Sequence, residues 1–349
     1  MDDLDGIDWG ELCEKTVQCV MENTDFEKKD LIADSVAALR ELESIVNYKF
    51  EKVLLGRNFL ETTTDKTTRF WQVLPEDPSR IEAGRKTNFT VNFIENEQLR
   101  TYELKGKSDD PFLKLLKENL KDGSEVDVLN ISDLPPKFAE LGNIKLTVKE
   151  LHFEKPFQVI YPTIKDTTIS REPKLFFIND KEPLEKVVFD VTPATEFMFQ
   201  EPVVQKCQTL ELHYFRTDQI WLDYWIVTLH IQNIIVYHQR FPMEVLKLMI
   251  KKWVSDRRPI GTSFKMDTYY SKVNFAYEMV EDELNGTQST FVNMMKPYIS
   301  RCASVPIDDE KEVVLFTKPL KKKWLEFDWM FKVEVMEKGT TVPRGQGDK

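Results

Sequence analysis

Residues Thr228–Asp256 read TLHIQNIIVYHQRFPMEVLKLMIKKWVSD and change rhythm once. Up to Tyr237 the stretch is rich in Ile and Val, which fit a pleated and buried strand. From Pro242 the apolar residues Val245, Leu246, Met249, Ile250 and Trp253 recur at the spacing of one helix face. The reading is a strand, a short loop and an amphipathic helix over Pro242–Val254, the elementary unit of an α/β architecture.

The same alternation recurs in both directions. Upstream, DDPFLKLLKENLKDG from Asp109 predicts a helix with Pro111 in its first turn, Phe112, Leu115, Leu116 and Leu120 on one face, and Gly123 beyond its end. Strands are expected over Val126–Ile131, Lys145–Phe153, Leu184–Val191 and Thr209–Phe215. Downstream, TSFKMDTYY (Thr262–Tyr270) is followed by expected helices at Val273–Leu284 and around Phe291–Ser300. Two strands, EVVLFTK and WLEFDWMFKVEV, come next. The second sets Leu325, Phe327, Trp329, Phe331, Val333 and Val335 on one face, as expected of a strand that caps an array. Intervals are uneven and no consensus repeats. The expected fold class is α/β, with α+β as the alternative: an irregular, leucine-rich-repeat-like solenoid whose successive strands pair in parallel.

Before residue 109 the pattern differs. Tyr48–Leu55 and Arg69–Pro75 read as strands, and Asn88–Leu104 as a hairpin turning at ENEQ. Residues 1–47 are helical in pattern. Leu12, Val17, Val20 and Met21 mark short helices, and Leu31, Ile32, Val36, Leu39, Leu42, Ile45 and Val46 a longer one with Asp25 as its N-cap. Such a unit is too small for a core of its own. The expected organisation is a helical unit at 1–47, a β-rich connecting segment at 48–108, the solenoid at 109–338 and a polar, disordered tail at 339–349.

Composition narrows the functions. A formal charge of −11 and a pI near 5.1 disfavour nucleic acid as a partner. Cys13, Cys19, Cys207 and Cys302 form no CxxC pair and suit reduced thiols in a cytoplasmic or nuclear protein. No run approaches a membrane span, and the acidic N-terminus lacks the apolar core of a signal peptide. No phosphate-binding glycine loop, nucleophile elbow or HExxH pair is present, so no catalytic residue, metal or cofactor is expected. His213, His230 and His238 lack partners at zinc spacing, and a Cys207–His213 nucleophile pair has little to recommend it. Trp221, Tyr224 and Trp225 read first as core and, where exposed, as contacts for a substrate protein.

Two stretches resemble known proteins. The pattern D-W-x-x-L with paired short helices, then D-F-x-x-K and a longer helix, resembles a divergent F-box; Asp8, Trp9, Leu12, Asp25, Phe26 and Lys29 carry it. The region after it is similar to the F-box-associated region of nematode F-box families. Leu229, Ile231, Ile234, Val236, Leu246, Ile250, Lys251 and Trp253 bear that likeness. The resemblance implies a substrate-recognition subunit of an SCF-type cullin–RING ubiquitin ligase, itself non-catalytic. Trp9, Leu12, Cys13, Val17, Val20, Met21, Phe26, Leu31 and Ile32 would contact a Skp-type adaptor, with a cullin scaffold beyond it, and the solenoid would hold a target protein. Cys13 stands where the family usually has Pro, and Lys15 where it usually has Glu. Those departures imply an alternative, a binding protein acting as an inhibitor or antidote with weakened ligase coupling.

Overall fold

The computed structural model describes residues 48–76, 86–107, 111–132, 144–153, 175, 178–179, 181–214, 225–237, 241–268, 270–292, 302–319 and 329–344. The expected helical unit at 1–47 lies outside them. The described chain is mixed α/β and mostly sheet, with few helices. It divides into two compact units, residues 1–149 with 175–179, and residues 150–174 with 180–349.

In the first unit, β1 (Lys49–Leu55), β2 (Phe59–Thr63), β3 (Thr68–Pro75), β4 (Thr87–Glu95) and β5 (Gln98–Lys107) form an antiparallel meander. After helix α1 (Pro111–Asn119), β6 (Glu125–Ile131) returns to pair with β1 in parallel. The strand order is β6-β1-β2-β3-β4-β5. The expected hairpin turns at Asn96 (φ 48°) and Glu97 (φ 66°). Two left-handed residues in a two-residue loop make the twist of the turn match that of the strands. In α1, Phe112, Leu113 and Leu116 are buried. Gly123 then adopts φ 77°, and its N–H donates to the Lys145 carbonyl at 2.7 Å, setting the path toward β7 (Thr147–Phe153).

In the second unit, the part of β7 from Glu150 pairs in parallel with β8 (Lys186–Asp190). A 3-10 turn (Pro193–Gln200) and the short α2 (Pro202–Gln205) lead to β9 (Thr209–His213). Then come β10 (Asn233–Tyr237), α3 (Met243–Ser255) and β11 (Ser263–Thr268). All of β8 to β11 pair in parallel. Helix α4 (Tyr270–Leu284) precedes β12 (Thr287–Phe291), β13 (Cys302–Pro306), β14 (Lys311–Pro319), β15 (Trp329–Glu337) and β16 (Thr341–Pro343). These last strands are antiparallel to their neighbours, and the order is β7-β8-β9-β10-β11-β15-β14-β13-β12-β16.

Helix α3 carries the packing that its sequence announces: Val245, Leu246, Met249, Ile250 and Trp253 are all fully buried. Removing five such side chains from water contributes roughly 10 kcal/mol before chain entropy is counted. The helix ends in a Schellman arrangement. The Arg257 N–H donates to the Val254 carbonyl at 3.2 Å and the Arg258 N–H to the Trp253 carbonyl at 3.1 Å, with Arg257 itself at φ 51°. The buried Arg258 guanidinium donates to the Leu229 carbonyl, tying the end of α3 to the segment ahead of β10.

Several boundaries differ from the sequence reading. β15 lies between β11 and β14, inside the sheet rather than capping an array. Phe291 ends strand β12 instead of opening a helix, because its backbone pairs with Thr341 of β16, and its ring packs edge-on against Phe316 at 5.3 Å; residues 293–300 lie outside the described chain. Thr341–Pro343, placed with the polar tail, form β16 on β12. Buried Glu312 holds them there, accepting from the Thr341 N–H and hydroxyl at 3.1 Å each. Helix α1 and β6, read with the region from 109 onward, belong to the first compact unit.

Candidate functional site

Parallel strands usually carry apolar side chains on both faces, because helices cover both. β8 to β11 do not. One face, with Val187, Phe189, Leu210, Leu212, Ile234, Val236, Phe264 and Met266, is fully buried. The other is polar and half-exposed: Lys186 and Val188, then Thr209, Glu211 and His213, then Asn233, Ile235 and Tyr237, then Lys265 and Asp267. Neighbouring β15 extends it with Met330, Lys332 and Glu334.

The register turns alternation into a surface. Glu211 sits between Val188 and Ile235, His213 between Asp190 and Tyr237, and Lys265 between Ile235 and Lys332. Glu211 is the hub. Its carboxylate receives His213 Nε2 at 2.9 Å and Lys186 Nζ at 2.7 Å. The His213 hydrogen bond, with Lys186 behind it, overcomes partial burial and holds the Glu211 carboxyl down to about 2. His213 also stacks on Tyr237, centroids 4.8 Å apart. Burial, followed by the negative charges of Glu211 and Asp267, raises the Tyr237 phenol above its ordinary value. A second carboxylate–imidazole pair repeats the spacing on β7, where His152 Nε2 lies 2.8 Å from Glu150. Lys332 and Glu334 form another pair at 2.5 Å.

Glu211 stays ionised through the physiological range with its oxygens occupied, which disqualifies it as a proton acceptor near neutral pH. Burial pushes the Cys207 thiol to about 12, so a Cys207–His213 nucleophile has no thiolate to use. Burial does the same to Cys302, also about 12. Among the described residues no group of three or more His, Cys, Asp or Glu is arranged to hold a metal ion, and no helix is long and apolar enough to cross a membrane.

Of the residues singled out from sequence, Trp9, Leu12, Cys13, Val17, Val20, Met21, Phe26, Leu31 and Ile32 lie outside the described chain, as do Trp221 and Tyr224. Trp225 is described. It is half-buried in a helical turn at 225–228, stacks parallel on Phe199 at 6.0 Å, and donates through Nε1 to Glu196 at 3.3 Å. Phe199 in turn meets Phe189 edge-on at 5.3 Å, on the apolar side of β8. Trp225 thus extends an aromatic stack that begins at Phe189. Glu211, Lys186, Tyr237 and Lys265 were not singled out. For Glu211 and Lys265 a signal is present in TLELH and SFKMD, where charged residues alternate with apolar ones in strands that pair in parallel, whereas Lys186 and Tyr237 lie in KVVFD and NIIVY, whose local pattern does not mark them.

Residues 107–269, from the end of β5 through β11, match a family described as a domain of unknown function (DUF3557). That match contains β8 to β11 and most of the polar face. No curated protein and no solved structure matches the chain.

Proposed function

We propose that this chain is a non-catalytic recognition subunit, with the polar face of β8–β11 and β15 as its docking surface for a target protein. Residues 1–47 would couple it to a Skp-type adaptor and cullin scaffold, as the F-box resemblance implies. The observation that carries the reading is the half-exposed, ion-paired face on a set of parallel strands. Fixed charges with satisfied partners and a stacked Tyr237 suit specific, water-tolerant protein contacts. The finer architecture that fits is an irregular leucine-rich-repeat-like α/β solenoid, supported by successive parallel strands with α3 or the 3-10/α2 segment between them. The subunit's contribution would be proximity, raising the local concentration of target lysines at the ligase, in the cytoplasm or nucleus.

Affinity purification with mass spectrometry tests both halves, comparing the full chain, a chain starting at Tyr48, and a full chain carrying Lys186→Glu and Tyr237→Ala. The truncation is expected to lose the adaptor and keep targets, and the double variant to do the reverse. A full chain that ignores the adaptor at micromolar concentration sinks the ligase coupling. A double variant that keeps every target sinks the polar face. Cys13 and Lys15 favour the second reading, an inhibitor or antidote with weakened coupling. Under it, Cys13→Pro with Lys15→Glu leaves activity unchanged, whereas under the first these substitutions strengthen adaptor binding.

A further inference from the structure

The polar face is not the only surface that asks for a partner. Four of the nine exposed large apolar residues among those described, Leu74, Ile94, Leu99 and Tyr102, fall on the β3–β5 meander of the first unit. Leu99 is 62% exposed and Tyr102 49%. Among the described residues strand β5 ends the sheet: ten residues long, it pairs there with β4 alone. Its backbone orientation follows from the two-residue turn at Asn96–Glu97. That turn makes Glu95 and Gln98 a hydrogen-bonded pair, so Gln98, Arg100 and Tyr102 bond inward to β4. The N–H and C=O groups of Leu99, Thr101 and Glu103 therefore point outward from the sheet.

Native edge strands are ordinarily kept short, bulged, covered, interrupted by Pro or studded with charge, and of these β5 carries only the charge. β5 has no Pro, its one irregularity lies at the far end beside Thr87–Phe89, and apolar rows run up to its edge on both faces. On one face Phe70, Ile94 and Leu99 are cross-strand neighbours. On the other, Trp71 and Phe93 (rings 5.4 Å apart) lead to Arg100, and Val73 and Val91 lead to Tyr102. Arg100, Lys105 and Lys107 against Glu103 give the strand a net charge of +2 inside a chain of −11.

We propose that β5 accepts an extended acidic peptide segment of a partner protein as an added strand. Main-chain bonds at Leu99, Thr101 and Glu103 supply the affinity. An apolar side chain of the peptide lies beside Leu99 on one face, and a carboxylate meets Arg100 on the other. A second copy of this chain is the poorer occupant, since two β5 edges would bring like net charges together.

The test titrates the full-length protein with a fluorescein-labelled peptide alternating valine and glutamate, and with one alternating valine and lysine. The acidic peptide is expected to bind saturably and to slow amide exchange at Leu99, Thr101 and Glu103. Thr101→Pro removes an outward donor while sparing the β4 ladder, and is expected to weaken binding about tenfold. Arg100→Glu, which leaves every backbone donor in place, is expected to shift preference toward the lysine peptide. Equal binding of both peptides, no saturable binding, or indifference to both substitutions overturns the proposal. So does a dimer by sedimentation that Thr101→Pro dissociates, since the edge would then belong to a second copy.

Discussion

Glu211 carries a pH signature that separates its role from ordinary surface charge. Its folded value of about 2 lies below the ordinary 4.5, so the folded state binds fewer protons than the unfolded chain between those values. The stabilisation is present in full above about pH 4.5 and is lost as pH falls toward 2. Urea midpoints measured against pH should therefore fall more steeply for the wild type than for Glu211→Gln across that window, while the gap between them stays constant above it. Parallel curves through the window would mean that His213 and Lys186 do not hold this carboxylate in solution. Asp308 is also lowered, chiefly by the backbone N–H of Glu310, but it is a half-buried loop residue whose shift is smaller, and it should contribute a far weaker slope. The alternation that exposes Glu211 was legible in TLELH. Its partner Lys186 was not, because the pairing crosses from β9 to β8 over a register that no local pattern encodes.

Two helix ends, of α3 and α4, make opposite forecasts at the scale of the element. Arg257 holds φ 51° at the residue that terminates α3, where a side chain bears a steric cost that glycine does not. Arg257→Gly should stabilise the protein by about 0.5–1 kcal/mol, since the backbone carbonyl that receives Lys311 Nζ at 3.0 Å is kept and the side chain gives up only a minor charge interaction with Asp308. Gly286, just past α4, is the converse. A Cβ there would lie 2.4 Å from Val280 Cγ1 and 2.7 Å from the Ser304 carbonyl oxygen, and the oxygen belongs to strand β13. Gly286→Ala should cost about 1–3 kcal/mol, because that backbone cannot yield. Thermal midpoints of both variants, shifting in opposite directions by a few degrees, check the pair. The helices themselves were readable, since α1, α3 and α4 each repeat apolar residues at helical spacing over nine or more positions. The short strands β2, β12 and β13 were not. FLETT, TQSTF and CASVP are five residues each with little alternation, and are strands because their neighbours pair with them.

At the scale of the whole molecule, each unit has its own gradient of protection from centre to edge, and hydrogen exchange should read it directly. In the first unit, β1 is paired on both sides, by β6 and β2, and buries Phe50, Val53 and Leu55 almost completely. In the second, β14 lies between β13 and β15 with Val313, Val314 and Leu315 fully buried, and β10 lies between β9 and β11. Amides of β1, β10 and β14 should exchange slowest, at rates set by the opening of their own unit. The outward amides of Leu99, Thr101 and Glu103 should exchange fastest among strand residues, because no ladder bond has to break. A free protein in which those three amides are as slow as β1 would show the β5 edge already occupied, and the unpaired strand would then have to be reassigned as an interior one. The sequence marked β5 as the return arm of a hairpin, yet could not say which arm faces solvent. That depends on β3, whose seven cross-strand pairs with β4 leave β5 outermost.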